Sequence, residues 1–229
     1  MGYTKTIICL ANSRKNSGRC IAGREISGQK IGPWIRPVSA RDGREISEED
    51  RRYEDGTGAN VYDVIEIEML GHVGENYQPE NHLIDDSYHW RRVDRWSWQT
   101  LPPLVEPITG PLWLNGHSTY YGLNDKIPAD LVVKQNSSLV LVRPNKLRIN
   151  VGFEGGMYAP AKRRVRASFR LADLAYSLLV TDPEAEKAYL GGADGNFPVD
   201  DAILCISLGE IFKGFAFKLV ATIFTPDRR

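Results

Sequence analysis

Arg164, Arg166 and Arg170 alternate along the chain with Val165, Ala167, Phe169 and Leu171. In a strand, alternate residues stand about 6–7 Å apart on one side, so these guanidinium groups form a row, extended by Lys162 and Arg163. A row of cations suits an extended polyanion. It also suits a sheet edge, where charged side chains block pairing with other chains. A second group joins Arg14, Lys15 and Arg19, in a Gly/Ser-rich turn, to Trp34 and Arg36 on the strand that follows. Flexible cations beside an aromatic ring can bind single-stranded nucleic acid without reading its sequence, the cations contacting phosphates and the ring stacking on a base. The competing expectation is a solvated hairpin tip and a core tryptophan. A third group interleaves Trp90, Trp96 and Trp98 with Arg91, Arg92 and Arg95. It offers stacking surfaces, or a plug for a barrel end.

Catalytic and metal patterns are weaker. His72, His82, His89 and His117 are scattered among Glu75, Asp85 and Asp86 without the close His or Cys spacing of a zinc site. The sequence holds no Gly-x-Ser-x-Gly elbow, no phosphate-binding loop ending in Gly-Lys-Ser/Thr and no dinucleotide fingerprint. Arg19 beside Cys20 would lower the thiol pKa, although a buried strand cysteine is the commoner case. No metal, cofactor or catalytic residue is expected, and an uncharacterised hydrolase is the weakest of the readings.

Period-two alternation dominates the elements that carry these residues. Strands are expected at 4–10, 19–26, 34–39, 63–70, 139–142, 147–151, 164–171, 203–208 and 215–224. Residues 139–151 turn at Pro144-Asn145 as a hairpin or as two consecutive strands. Two short helices are expected. One begins at Ser47, with Glu48, Glu49 and Asp50 in its first turn, and ends near Gly56. The other has Asp182 as N-cap and Pro183 at its first position, and stops at Gly191-Gly192. Residues 75–128, rich in Pro, Gly, Asn, Trp and Tyr, read as a long irregular excursion. A domain boundary is placed near 132, giving units 1–132 and 133–229.

The 29 basic and 29 acidic residues cancel, but they are segregated. Residues 1–44 hold nine Lys/Arg and two acids, residues 45–89 hold two and thirteen, and residues 134–170 hold nine and one. Such blocks imply a polyanionic partner or pairing with each other across the fold. Hydrophobic residues at 42 % and charged residues at 25 % suit a globular chain. Three widely spaced cysteines and no apolar leader behind Met1 fit a reducing cytoplasm, and no apolar stretch approaches the roughly 18 residues of a membrane helix.

Several stretches together resemble bacterial proteins described as dual OB domain-containing. They are Ile7-Ile8-Cys9-Leu10-Ala11-Asn12-Ser13-Arg14-Lys15 with Ser17 to Gly23, Gly32 to Ser39, Leu179 to Pro183, Ser207 to Glu210 and Phe212 to Gly214. The resemblance implies two small five-stranded Greek-key barrels and supplies no catalytic residues. The expectation is therefore a mainly β chain of two OB-like barrels with a long irregular insertion. It would act as a non-catalytic module binding single-stranded DNA or RNA through its basic segments. A protein-interaction or small-ligand-sensing module is the alternative.

Overall fold

The computed structural model describes residues 2–28, 30–156 and 160–228. The chain divides into two compact units, residues 1–100 with 136–138, and residues 101–135 with 139–229. The division falls at residue 100 and not near 132, because the segment from Leu101 to Gln135 packs with the second unit.

In the first unit β1 (Tyr3–Lys15), β2 (Gly18–Ser27), β3 (Lys30–Val38), β4 (Asp63–His72) and β5 (Asn81–Ile84) close into a barrel. Its path is β1-β2-β3-β5-β4 and back to β1, with β3 and β5 parallel and the other pairs antiparallel. β1 serves both ends of this path: Tyr3 to Ile8 face β4, and Ile7 to Lys15 face β2. A bulge between Cys9 and Ala11 bends it from one partner to the other. Gly23 lies opposite Cys9, and a Cβ there would come within 2.1 Å of the Ile8 carbonyl oxygen. Ile7, Cys9, Ile21, Ile35, Ile65, Ile67, Met69 and Ile84 fill the interior with Trp90. β6 (Arg91–Arg95) adds to β4 on its exposed edge.

The second unit repeats the plan. β7 (Lys126–Pro128) and the short α1 (Ala129–Val132) precede β8 (Leu139–Val142), β9 (Asn145–Glu154), β10 (Lys162–Leu171) and β11 (Leu174–Val180). After these come α2 (Pro183–Leu190), β12 (Gly195–Val199), β13 (Ile203–Leu208) and β14 (Phe215–Phe224). β9 pairs β10, β10 pairs β11, β11 runs parallel to β14, β14 pairs β13, and β13 pairs β8. β8 and β9 do not form a hairpin. They are two halves of one path, like the two halves of β1, broken at Pro144, which has no N–H to continue a ladder. Two such closed barrels make the chain mainly β, with few and short helices.

Asp182 caps α2 as its position suggests, accepting from the backbone N–H groups of Glu184 and Ala185. No helix follows Ser47. Ser47 and Asp50 exchange the reciprocal bonds of a capping box, 2.8 and 3.1 Å, yet only turns result. The chain reverses there to bury Tyr53, whose hydroxyl donates to Asp63 at 2.9 Å. The excursion at 75–128 is less irregular than expected, since β5, β6 and β7 lie in it. Among the described residues no helix is long and apolar enough to cross a membrane.

Candidate nucleic-acid interface

Most cations of the amino-terminal block meet acids. Arg19 pairs with Glu48 at 3.5 Å, Arg41 with Asp50, and Arg44 with Glu75 at 3.1 Å. Arg36, expected to face a ligand, is 4 % exposed and paired with the buried Glu80 at 3.3 Å. Glu80 also accepts from the Ser138 hydroxyl. The pairing of segregated blocks across the fold thus occurs, and it removes Arg36 from any surface. Arg14 is exposed and stands opposite Arg19 in the β1–β2 ladder, with Lys15 half-buried beside it. Trp34 is half-buried, its ring 5.7 Å from the Arg24 guanidinium.

The Trp/Arg group separates by role. Trp90 is core, and Arg91 and Arg95 of β6 pair with Glu66 and the buried Asp63. Arg92 lies 5.6 Å from the centre of the Tyr53 ring. Trp96 and Trp98 are half-buried. The histidines also part. His89 is exposed and His117 half-buried, whereas His72 and His82 face each other across β4 and β5, ring centres 4.9 Å apart. Burial, with His72 and Lys5 nearby, pushes the pKa of His82 down to about 4. Tyr3, whose own pKa burial raises, shares a hydrogen bond of 2.6 Å between its hydroxyl and Nδ1 of His82. Among the described residues no group of three or more His, Cys, Asp or Glu is placed to hold a metal.

In the second barrel, β9 and β10 turn their arginines to the outer face. Val165, Ala167, Phe169 and Leu171 of β10 lie in the core, as do Leu147, Ile149 and Val151 of β9. The alternation therefore turns Arg164, Arg166, Ser168 and Arg170 outward, together with Arg148 and Asn150. Asn150 Nδ2 donates to Ser168 Oγ at 2.7 Å, and Ser168 Oγ lies 3.2 Å from Ser177 Oγ, a polar ladder across β9, β10 and β11. Arg148 and Arg170 are exposed and Arg164 half-exposed. The guanidinium of Arg170 donates to the Asp173 carbonyl at 2.7 Å. Among the described residues none of these three meets a carboxylate.

Two members of the expected row are otherwise engaged. Arg163 binds Asp194 at 2.8 Å and the carbonyls of Leu190 and Gly192. Arg166 is clamped by both oxygens of Glu154, at 2.6 and 3.2 Å, and by Asp125 at 3.3 Å. Lys162 is exposed at the start of β10. The row is therefore not a uniform stripe. It is a neutralised centre between open cations.

Beside Arg166 the barrel wall forks. β11 and β14 pair only through Leu179↔Leu219 and Val180↔Val220. Below that point Leu123 bridges to Ser177 of β11, and Lys126–Pro128 takes the edge of β14. The loop between is pinned by Asp125, which accepts from the backbone N–H and hydroxyl of Thr119 at 2.7 and 2.6 Å. Gly122 is required there, because a Cβ would fall 1.7 Å from the Asp125 carboxylate. A cavity of about 340 Å³ opens at the fork, lined by Tyr120, Tyr121, Asp125, Glu154, Arg166, Leu179, Phe217, Lys218 and Leu219 among others. Tyr120 is 93 % exposed and packs edge-on against Tyr121. Tyr121 is tied to Gly155, donating to its carbonyl at 3.2 Å and accepting from its N–H at 3.0 Å. Lys218 is wholly buried, with its ammonium on the Leu114 carbonyl at 2.6 Å and Asn115 Oδ1 at 2.9 Å. Burial, opposed by Asp125, pushes its pKa down to about 7.

The fork escaped sequence reasoning. Tyr120, Tyr121 and Asp125 sit in a stretch without period, and Arg148 stood outside the Arg-rich run. Tyr120-Tyr121 inside a Gly/Asn-rich loop was the one legible signal.

Two barrels, each closed through one parallel pairing, agree with a match of the dual OB-containing domain model to residues 5–223. The chain belongs to the dual OB-containing domain family. Its second OB barrel carries the face just described on β10 and β11, the second and third strands of the closed path. That is where OB barrels hold oligonucleotides and oligosaccharides, between the loops that flank it. No curated protein and no solved structure is significantly similar to the chain.

Proposed function

We propose that this dual OB protein binds single-stranded nucleic acid, DNA or RNA, on the outer face of β9, β10 and β11. The observation that carries the reading is charge that the fold leaves unbalanced. Arg148, Arg164 and Arg170 share one face and meet no carboxylate among the described residues, while most cations of the first unit, such as Arg36, Arg41 and Arg95, are matched by acids. By register Arg148 faces Ser168, with Arg170 two residues farther along β10. Like charges so placed repel unless a polyanion separates them. From residue 164 to residue 170 the strand spans about 20 Å, room for several phosphates along one strand. The ladder from Asn150 to Ser177 lies between them and offers uncharged hydrogen bonds to bases or sugars.

Affinity for a labelled single strand, measured against salt, tests this. Log affinity should fall linearly with log salt. The triple variant R148Q/R164Q/R170Q should flatten that slope by about two units, since each phosphate contact on a single strand contributes roughly 0.7. Its melting temperature should stay near that of the parent, because the three side chains are surface groups. An unchanged slope in the triple variant returns this face to edge protection. Tight binding that ignores salt points to a protein partner.

A further inference from the structure

The geometry points to the fork between β11 and β14 as a pocket for one unstacked nucleobase, taken from the strand that the outer face holds. The inference rests on the reading above and adds what occupies the cavity. At about 340 Å³ the cavity lies at the small end of ligand pockets, which run from about 300 to 1,000 Å³. It accepts a planar ring and excludes a larger ligand.

Charge decides which part of a nucleotide enters. Asp125 and Glu154 bring two negative charges against the one positive charge of Arg166. Lys218, with its pKa near 7, raises the sum to zero at most. A phosphate gains nothing in such a place, whereas an uncharged base meets no repulsion. Four of the five N–H donors of Arg166 are spent on carboxylates and on the Ser177 carbonyl at 3.4 Å. What remains is one Nη2 N–H and the flat face of the guanidinium, and stacking on guanidinium planes and on aromatic side chains is how unpaired bases are held. Leu179 and Leu219 supply an apolar floor. Tyr120, almost wholly exposed, stands at the mouth with its ring edge-on to Tyr121. An exposed tyrosine of this kind contributes nothing to the core and is free to close over a ring.

A fluorescent adenine analogue that dims on stacking, placed once in a single strand, reports occupancy directly. It should dim on binding to the parent protein. Tyr120→Ala should lower strand affinity by about five-fold to a hundred-fold, the range for loss of one stacked base. The salt slope should stay as it was, and Tyr120→Phe should restore binding. Leu179→Trp, which fills the cavity from a half-exposed position, should abolish the dimming at an unchanged melting temperature. The same analogue as a free nucleoside monophosphate separates sources. Dimming there as well assigns the pocket to the ring alone, and dimming only within the strand assigns it to a delivered base. Dimming that survives both Tyr120→Ala and Leu179→Trp, or none with salt-dependent binding intact, overturns the pocket and leaves the interface standing. Absence of salt-dependent binding in the parent protein overturns the interface itself.

Discussion

Lys218 shows how one side chain couples the fork to the fold. Its ammonium is fully buried and held by a carbonyl, an amide oxygen and the face of the Tyr176 ring, 5.5 Å away. Those partners are neutral, and only Asp125 offsets the loss of hydration, so the folded value falls to about 7 from an ordinary 10.5. Between these two values the unfolded chain carries a proton that the folded protein has released. Stability therefore rises with pH across this window, at up to about 1.4 kcal/mol per unit from this group. Below pH 7 both states are charged and the cost of burying the ammonium is present in full. Lys218→Met removes the titration. Melting temperatures of the parent and the variant, taken from pH 6 to pH 9, should converge or cross as the parent gains stability, and parallel curves would show that Lys218 stays charged throughout.

At the scale of elements, Asp182 joins three segments of the second barrel. Its carboxylate caps α2, accepts from the Ile223 N–H of β14 at 2.9 Å, and pairs with Arg228 beyond that strand. Cap removal alone costs about 0.5–2 kcal/mol. Here Asp182→Ala also strands a mostly buried arginine, and losing one partner of a buried pair costs about 3–5 kcal/mol. The expected loss in a denaturant titration is therefore at the upper figure and not the lower. Asp182→Asn keeps the cap but not the charge, and should fall between the parent and the alanine variant. A loss below 1 kcal/mol for alanine would mean that Arg228 escapes to solvent with its other partner, Glu184.

Across the whole molecule two kinds of cation respond differently to salt. Arg36 and Glu80 are 4–5 % exposed at their side chains, out of reach of most screening, whereas Arg148 and Arg170 face water. Raising salt should release a bound strand while leaving the melting temperature nearly constant. Glu80→Gln should do the reverse, lowering the melting temperature by leaving Arg36 unpaired and leaving strand affinity in the second barrel unchanged. Loss of strand affinity in Glu80→Gln at a temperature where the protein remains folded would move the binding surface to the first unit.

The sequence by itself determined the β character and most strand positions, because alternation records which side chains face a core. It determined the cap at Asp182, since that signal needs only neighbours in the chain. The residues that resemble the dual OB family determined the barrel plan. Tertiary structure alone decided which cations stay open. Arg36 and Arg166 look like Arg148 and Arg164 in sequence, but their partners Glu80, Asp125 and Glu154 are brought to them by strand pairing and by a folded loop. It also decided that Ser47 begins no helix, since burial of Tyr53 outweighed a local capping signal. The fork at Leu179 and Leu219 was invisible for the same reason. It exists only where two distant strands stop pairing and a third segment enters between them.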